Sequence, residues 1–295
     1  MEAASFQKIL VLTDYSELSE NAVTTAAAIC QKHQATLILL YVLRDVEMEI
    51  PVDMHHLVMD YTKEMKLAAM TELKHLGERI SEEYKIEVSE IVAVGDVVRQ
   101  IVKTVKEHNP DIVLIGSHGA SGFRRLFIGS TAYSVLKHST FPIMTVPGKG
   151  EWSHFRNILF PIRNIPNALE KYDPIRPILH KDQSTLHILG LSPESEASHE
   201  YELFGLEEKL EKRLREDGIT YEVSYHRCAN YADIILKKAE EKNIDLIVII
   251  ATLDMKLKEV FIGPFAQQII NHAKVPVLCI KAKEPVAPGS PAATP

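Results

Sequence analysis

The chain has 295 residues, of which 46% are hydrophobic and 25% are charged, enough for one large core or two ordinary ones. Its formal net charge of -7 and the lack of a long Lys/Arg run argue against a nucleic-acid partner. Scattered cysteines, a start unlike a signal peptide, and apolar runs well short of the about 20 residues of a membrane span predict a cytoplasmic protein without a membrane partner.

Apolar and amphipathic stretches alternate along the first half of the chain. We predict strands, in chain order, at Lys8–Thr13, Thr36–Leu43, Ile86–Val94, Asp111–Ile115 and Pro142–Val146. The predicted helices between them are Ser16–His33, a long helix within His55–Tyr84, a helix from Asp96 or Val97 to about His108, and Ser130–His138. Ser16 or Ser19 is expected to cap the first helix. This alternation is typical of parallel strands with right-handed crossovers and helices on both faces of the sheet.

The second half of the chain repeats this order. Its predicted strands are Asn157–Ile162, Ser184–Leu191, Ile219–Arg227, Asp245–Ile250 and Val275–Ile280. Asp111–Ile115 aligns with Asp245–Ile249, and Phe127–Gly129 aligns with Phe261–Gly263 at the same offset. A constant register of this kind indicates a duplication. Three prolines in the first crossover of the second half, Pro166, Pro174 and Pro177, predict a short or irregular helix there.

The predicted fold class is therefore α/β, with two tandem doubly wound domains that each contain a five-stranded parallel sheet. The first domain is expected to span residues 1–149 and the second residues 150–283, and the Pro- and Ala-rich tail 284–295 is expected to be disordered. The fifth strands are apolar and lie at sheet edges, which need covering. Pairing them within one chain would make an intramolecular pseudo-dimer; whether two chains then form a homodimer is left open.

A glycine-spaced segment, Gly116–Thr131, follows the fourth strand and opens into a helix. Glycines allow backbone N–H groups to approach an anion closely, and the helix N-terminus beyond Gly129 adds unpaired donors and a positive dipole end. The segment therefore predicts a phosphate site. It contains neither the Gly-x4-Gly-Lys-Ser/Thr signature of a P-loop nor the Gly-x-Gly-x-x-Gly spacing of a dinucleotide fold.

The second domain keeps the sequence pattern of the fold but lacks the residues of the predicted site. The residues aligned with Gly116, Gly119, Gly122, Ser130 and Thr131 are Ile250, Leu253, Lys256, Pro264 and Phe265. Asp14, at the carboxyl end of the first strand, aligns with Arg163, which cannot accept a hydrogen bond. Asp14 could contact the ribose or base of a ligand, or it could cap the helix near Ser16, and the sequence leaves both open. We predict a ligand site in the first domain alone.

The first domain resembles the universal stress protein family. That family's nucleotide motif is Gly, two residues, Gly, nine residues, Gly and then Ser or Thr, and it stands here as Gly116–Gly119–Gly129–Ser130. The resemblance covers nearly the whole chain as two tandem domains, although the motif is intact only in the first. It implies the sheet order 3-2-1-4-5 in each domain and a bound adenine nucleotide, ATP or AMP. Mg2+ could accompany ATP.

By position, the resemblance places Asp14 beside the adenosine and the backbone of Val42 against the adenine. It places Gly116, His118 and Gly119 along the ribose and phosphates, and Gly129, Ser130 and Thr131 around the phosphates. The predicted site also includes Leu12, where many members have Pro, together with Thr13, Ile115 and Arg125. For Arg124 and Arg125 a solvated loop face is the favoured alternative, and His118 could equally face water.

Two functional classes fit these residues. One is an adenine-nucleotide-binding regulatory protein of the stress response; the other is a slow ATPase or autophosphorylating enzyme with Ser130 or Thr131 as the acceptor. Phosphoryl transfer requires charge neutralisation by cations and metal, and the sequence shows no obvious carboxylate pair for Mg2+, so binding is favoured. A scaffold that dimerises without a ligand would explain the second domain but not the glycine spacing of the first. We assign no catalytic residue and no metal ligand.

Overall fold

The computed structural model describes residues 4–44, 55–117, 129–194, 199–251, 253–254 and 261–281. In the first domain the elements, in chain order, are β1 (Lys8–Leu12), α1 (Glu17–His33), β2 (Thr36–Leu43), α2 (His55–Tyr84), β3 (Val88–Val94), α3 (Val97–His108), β4 (Ile112–Gly116), α4 (Ser130–His138) and β5 (Ile143–Val146). Their order and boundaries agree with the sequence prediction to within two residues at each end, apart from the start of α2, which had been predicted only as a range.

The second domain follows the same plan. Its elements are β6 (Asn157–Ile162), α5 (Tyr172–Asp182), β7 (Thr185–Ser192), α6 (His199–Asp217), β8 (Thr220–Arg227), α7 (Tyr231–Glu241), β9 (Leu246–Ile250), β10 (Leu253–Asp254), β11 (Phe261–Ile262), α8 (Pro264–His272) and β12 (Val277–Ile280). The antiparallel pair of β10 and β11 was not predicted. None of the described helices combines the length and the apolar character needed to cross a bilayer.

One ten-stranded sheet runs through both domains in the order β3-β2-β1-β4-β5-β12-β9-β6-β7-β8. Within each domain the strands are parallel and have the predicted order 3-2-1-4-5. The fifth strands pair with each other in antiparallel register, with Leu278 opposite Met144. The predicted pseudo-dimer within one chain is therefore present, and neither fifth strand is left as an open edge.

Each face of the sheet carries one apolar core, and each core extends through both domains. On one face α1 and α2 of the first domain pack beside α5 and α6 of the second. On the other face the core includes residues of α3 and α4 together with residues of α7 and α8. An ion pair also joins the domains, because Lys32 of α1 contacts the buried carboxylate of Asp182 at the end of α5. The two domains thus share their hydrophobic interior.

Short polar side chains determine where several helices begin. Ser16 caps α1, since its Oγ accepts a hydrogen bond from the backbone N–H of Ser19 at 3.2 Å. Asp96 caps α3 in the same way, with the N–H of Arg99 donating to its Oδ1 at 2.9 Å. In the second domain Asn230 occupies the corresponding position and caps α7.

The first crossover of the second domain contains the short helix that its prolines predicted. This helix, α5, has 11 residues, whereas α1 has 17, and it follows turns that end at Lys171. Pro174 lies in its first turn, where backbone N–H groups have no intrahelical acceptor, so proline is tolerated there. Pro177 lies inside the helix and is buried, so packing offsets the loss of one backbone hydrogen bond.

Candidate functional site

A cleft of about 510 Å³ opens at the carboxyl ends of β1, β2 and β4, the edge where parallel α/β sheets bind ligands. All predicted site residues that belong to the described part of the chain line it: Leu12, Thr13, Asp14, Val42, Ile115, Gly116, Gly129, Ser130 and Thr131. The other predicted residues, His118, Gly119 and Arg125, lie outside the described residues, as does Arg124. The fold thus brings together residues that are more than a hundred positions apart in sequence.

The turn after β1 holds Asp14 at the mouth of the cleft. Asp14 Oδ1 accepts hydrogen bonds from the backbone N–H of Ser16, at 3.1 Å, and from the Ser16 hydroxyl. Tyr15 between them has a φ of 60°, a left-handed conformation that closes the turn. The helix cap itself is Ser16 and not Asp14. The Asp14 side chain is exposed and lines the cleft, so its position is compatible with ligand contact.

Thr13 and Ser19 fix this turn from behind. The N–H of Thr13 donates to the carbonyl oxygen of Leu40 at 3.0 Å and continues the ladder between β1 and β2 by one bond. The hydroxyls of Thr13 and Ser19 lie 3.3 Å apart, and the N–H of Asp14 donates to Ser19 Oγ at 3.3 Å. Both side chains are buried. The carboxylate is thus held on a turn whose hydroxyl and backbone N–H groups already have hydrogen-bond partners.

The far end of the cleft is the N-terminus of α4. The N–H of Gly129 donates to the carbonyl oxygen of Ser117 at 2.9 Å, which returns the chain to the end of β4. Gly129 then occupies the cap position without a side-chain hydrogen bond. Ser130 and Thr131 are the first residues of α4, and backbone N–H groups in the first turn of a helix have no intrahelical acceptor. Free donors and the positive end of the helix dipole make this end suited to an anion.

Between these polar ends the cleft has apolar walls. Leu40 and Val42 of β2 and Ile115 of β4 contribute from the sheet, and Val97 and Ile101 contribute from α3. Such a slot fits a flat, largely apolar group such as a nucleobase. The α3 residues were not among the predicted site residues, although the apolar face of this helix could have indicated them.

Arg44 is a further lining residue that sequence reasoning missed. It follows directly after β2 and is exposed, and it makes no ion pair with a residue that the structure describes. The position of Val42 as a predicted contact could have pointed to Arg44, because both lie at the carboxyl end of the same strand.

In the second domain the corresponding space is filled by side chains. Arg163, at the position of Asp14, places its guanidinium carbon 3.8 Å from the ring centre of Phe265, at the position of Thr131. The same carbon lies 5.8 Å from the ring centre of Tyr231, which aligns with Val97. What remains is a space of about 10 Å³, too small for any nucleotide. Burial lowers the pKa of Arg163, but the guanidinium group of an arginine in a protein keeps its positive charge.

A buried lysine, Lys171, lies next to the filled site of the second domain. The Nζ of Lys171 donates to the carbonyl oxygens of Pro161 and Ala168 at 2.8 and 2.9 Å and lies 4.1 Å from the ring centre of Phe160. Burial, followed by the nearby charge of Arg163, lowers the pKa of Lys171 to about 7. The lysine ties the end of β6 to the turn that precedes α5.

Comparison with known proteins agrees with this architecture. The profile of the Universal stress protein family matches the chain twice, at residues 5–147 and 154–281. Universal stress protein MJ0577 of Methanocaldococcus jannaschii is 28% identical over 156 residues, which cover 49% of this chain and 96% of that protein. Universal stress protein YxiE of Bacillus subtilis is 27% identical over 147 residues, covering 48% of this chain and 99% of that protein.

A solved structure shares the fold over nearly the full length. The universal stress protein from Archaeoglobus fulgidus matches with a TM-score of 0.72 at 23% identity, covering 93% of this chain and 98% of that chain. Each curated relative named above corresponds to about half of this chain, as expected for a duplication. The chain belongs to the universal stress protein family and contains two tandem domains of that family.

Proposed function

We propose that the first domain binds one adenine nucleotide, ATP or AMP, that the second domain binds none, and that the chain is a nucleotide-responsive regulatory protein of the stress response. The observation that carries this proposal is the contrast between the two domains. At corresponding positions the first has a cleft of about 510 Å³ and the second a space of about 10 Å³. The filled site of the second domain has no room for a ligand, which accounts for the loss of the motif from that domain.

The chemistry of the cleft fits such a ligand in three parts. The apolar slot between Val42 and Ile115 would hold the adenine, with the Val42 backbone at its edge. The carboxylate of Asp14 would accept hydrogen bonds from the ribose hydroxyls. Gly116 would allow close approach of the phosphates, and the N–H groups of Ser130 and Thr131 would bind them. His118, Gly119 and Arg125 remain proposed phosphate neighbours, and Mg2+ would accompany ATP. A cytoplasmic location also stays a prediction from the sequence.

Slow hydrolysis of ATP, or transfer of its terminal phosphoryl group to Ser130 or Thr131, is the alternative activity. Ser130 is exposed at the start of α4, beside the proposed phosphate position. Phosphoryl transfer depends on charge neutralisation by cations and metal, and Asp14 is the one carboxylate among the described residues that line the cleft, so we favour binding. Release of ADP from ATP above background that is abolished by Asp14→Ala would favour the enzyme instead.

Isothermal titration calorimetry of the full chain with ATP and with AMP tests the proposal. We expect a stoichiometry near one, and we expect Asp14→Ala to weaken binding about tenfold to a hundredfold, because hydrogen bonds to a charged group are lost. Arg163→Ala, at the equivalent strand end of the second domain, is the matched control and should leave the affinity unchanged. Two equivalent sites, or a loss of binding in Arg163→Ala alone, would contradict the proposal.

A further inference from the structure

Tyr15 joins the turn that carries Asp14 to the long helix α2. Its hydroxyl donates a hydrogen bond to the carbonyl oxygen of Ala69 in α2 at 3.0 Å. Its ring centre lies 4.8 Å from that of Tyr41, with the two rings inclined at 37°. Burial, followed by the nearby Tyr41 and Glu72, raises the pKa of Tyr15 to about 12, so the hydroxyl keeps the proton that it donates at neutral pH. One residue thus connects the mouth of the cleft with α2.

Tyr15 and Tyr41 meet on the side of the sheet that carries α2. Alternate residues of a strand face opposite sides of a sheet, so Val42 of β2 packs on the side of the cleft and Tyr41 packs on the side of α2. Thr13 and Ser19 line the cleft, and they also line a second cavity of about 330 Å³ between α1 and α2, to which Tyr15 contributes. The turn after β1 therefore forms part of the wall of both cavities.

The backbone of Tyr15 depends on these contacts. Its φ of 60° is left-handed, a conformation that residues with a β-carbon rarely adopt. The N–H of Tyr15 donates to Thr13 Oγ1 at 3.1 Å, and Asp14 Oδ1 accepts from the N–H of Ser16 at 3.1 Å. These bonds, together with the bond to Ala69, hold a conformation that is unfavourable by itself. They also determine where the carboxylate of Asp14 points, because Asp14 and Tyr15 are adjacent in the same turn.

Tyr15 also attaches residues 63–72 of α2 to the rest of the domain. Within this stretch Ala69 is the one buried residue, with 8% exposed. Among the hydrogen bonds between described residues, the bond from Tyr15 is the one that joins this stretch to another element. From Leu73 onward the helix has further buried side chains. A stretch with so few buried contacts has a low free energy of local opening, so the loss of one hydrogen bond is expected to be measurable there.

The second domain has a tie at the same place, but its chemistry is different. Asn164 follows Arg163 as Tyr15 follows Asp14, and its side-chain amide donates to the carboxylate of Glu202 in α6. This helix occupies the place of α2, between the second and third strands of its domain. Asn164 and Glu202 are both exposed, and the φ of Asn164 is not positive. At this position the left-handed backbone therefore accompanies the open cleft and not the fold.

We propose that Tyr15 is a positioning residue that couples the turn of Asp14 to residues 63–72 of α2, so that a nucleotide held by Asp14 strengthens the attachment of this stretch. The inference rests on the proposed nucleotide binding. A ligand that engages the carboxylate of Asp14 favours the turn in its left-handed form, and this form places the Tyr15 hydroxyl at Ala69. The coupling is reciprocal: the bond to Ala69 strengthens nucleotide binding by the same factor by which the nucleotide strengthens that bond.

Hydrogen–deuterium exchange and calorimetry of the full chain test the coupling. Tyr15→Phe keeps the ring and removes only the hydroxyl. We expect the amides of residues 69–73 to exchange about threefold to tenfold faster in this variant, and ATP and AMP to bind about threefold to tenfold more weakly. ATP should slow the exchange of these amides in the wild-type chain but not in Tyr15→Phe. Asn164→Ala removes the equivalent tie of the second domain and is the matched control, which should change neither quantity.

A double-mutant cycle on the ligand-free chain separates this inference from the proposed function. Asp14→Ala removes the acceptor of the Ser16 N–H and loosens the turn. It should therefore speed the exchange of residues 69–73 in the wild-type background and have no further effect in Tyr15→Phe. If ATP and AMP do not bind to the wild-type chain, the proposed function fails, and the cycle still decides whether Tyr15 transmits the state of the turn to α2.

Thermal unfolding of each variant establishes that it is folded. Three results would overturn the coupling. The first is faster exchange in Tyr15→Phe with unchanged nucleotide affinity, which would make Tyr15 a support for α2 alone. The second is an effect of Asp14→Ala on exchange that is absent, or equal in both backgrounds. The third is an effect of Asn164→Ala as large as that of Tyr15→Phe.

Discussion

The guanidinium carbon of Arg163 lies 3.8 Å from the ring centre of Phe265. The two residues occupy the positions of Asp14 and Thr131 in the first domain, so a side-chain contact takes the place of a cleft. A cation over an aromatic ring contributes about 0.5 to 2 kcal/mol, depending on how far it is removed from water. The second domain therefore gains packing at the positions where the first keeps a cavity.

Replacing Phe265 by Ala should destabilise the chain by about 2 kcal/mol, because it removes a partly buried ring and the partner of Arg163. Thr131→Ala, at the equivalent position of α4, is the matched control and should cost less than about 1 kcal/mol. Chemical denaturation of both variants measures the difference. Equal effects would show that the filled site contributes nothing to stability.

Removing the buried carboxylate of Asp182 should also destabilise the chain. Asp182 is 3% exposed and Lys32, its partner across the two domains, is 20% exposed, so Asp182→Ala leaves a lysine in a largely buried place. We expect a loss of about 2 kcal/mol. The control is Lys74→Ala, which breaks an exposed pair with Glu78 and should cost less than about 0.5 kcal/mol. Urea unfolding measures both; similar values for the two variants would contradict the expectation.

Stability should fall as the pH is lowered from about 6.5 to about 4, partly through His33. This buried histidine accepts a hydrogen bond from the N–H of Phe6 at 3.2 Å. Burial, followed by the nearby charges of Lys181 and Lys32, lowers its pKa to about 4. The unfolded chain, with a histidine pKa of about 6.5, then binds a proton that the folded chain excludes, which costs up to about 3 kcal/mol across this range.

The contribution of His33 is fully present above about pH 6.5 and is lost toward pH 4. His33→Asn should reduce the slope of unfolding free energy against pH, while His154→Asn, at an exposed position, should leave it unchanged. Urea titrations at several pH values provide the measurement. An unchanged slope in His33→Asn would show that other groups cause the acid sensitivity.

The two domains should unfold in one transition. Both cores include residues of each domain, and the ladder between β5 and β12 lies at the centre of the sheet. Separating the domains would expose these strands and divide both cores, so neither half is expected to persist alone. Scanning calorimetry of the full chain should show one peak with equal calorimetric and van't Hoff enthalpies. Two resolved peaks would indicate independent domains.

The sequence predicted most of the fold because its signals were local. Apolar strands and capped amphipathic helices recurred in one register. The strand order 3-2-1-4-5, which is the observed one in both domains, was implied by the resemblance to the family. The continuation of α5 through Pro177 could not be predicted, because that proline is tolerated through packing with distant residues. The pair formed by β10 and β11 likewise depends on contacts that two short strands do not reveal in sequence.

The site was predicted less completely. The glycine spacing indicated the position of the cleft, and the alignment of Asp14 with Arg163 indicated that the domains differ. The sequence could not show that Arg163 fills its own site, since this depends on Phe265 and Tyr231 converging from two other elements. Arg44 was missed for the related reason that nothing in its local sequence distinguishes a cleft-lining arginine from a surface one.

Because β5 and β12 pair in antiparallel register, the strands of the two domains run in opposite directions. Strands of the first domain end on one side of the common sheet and those of the second end on the other, so the open cleft and its filled counterpart face opposite ways. A macromolecule that contacted a ligand in the open cleft would therefore have to approach the sheet from the side on which the strands of the first domain end.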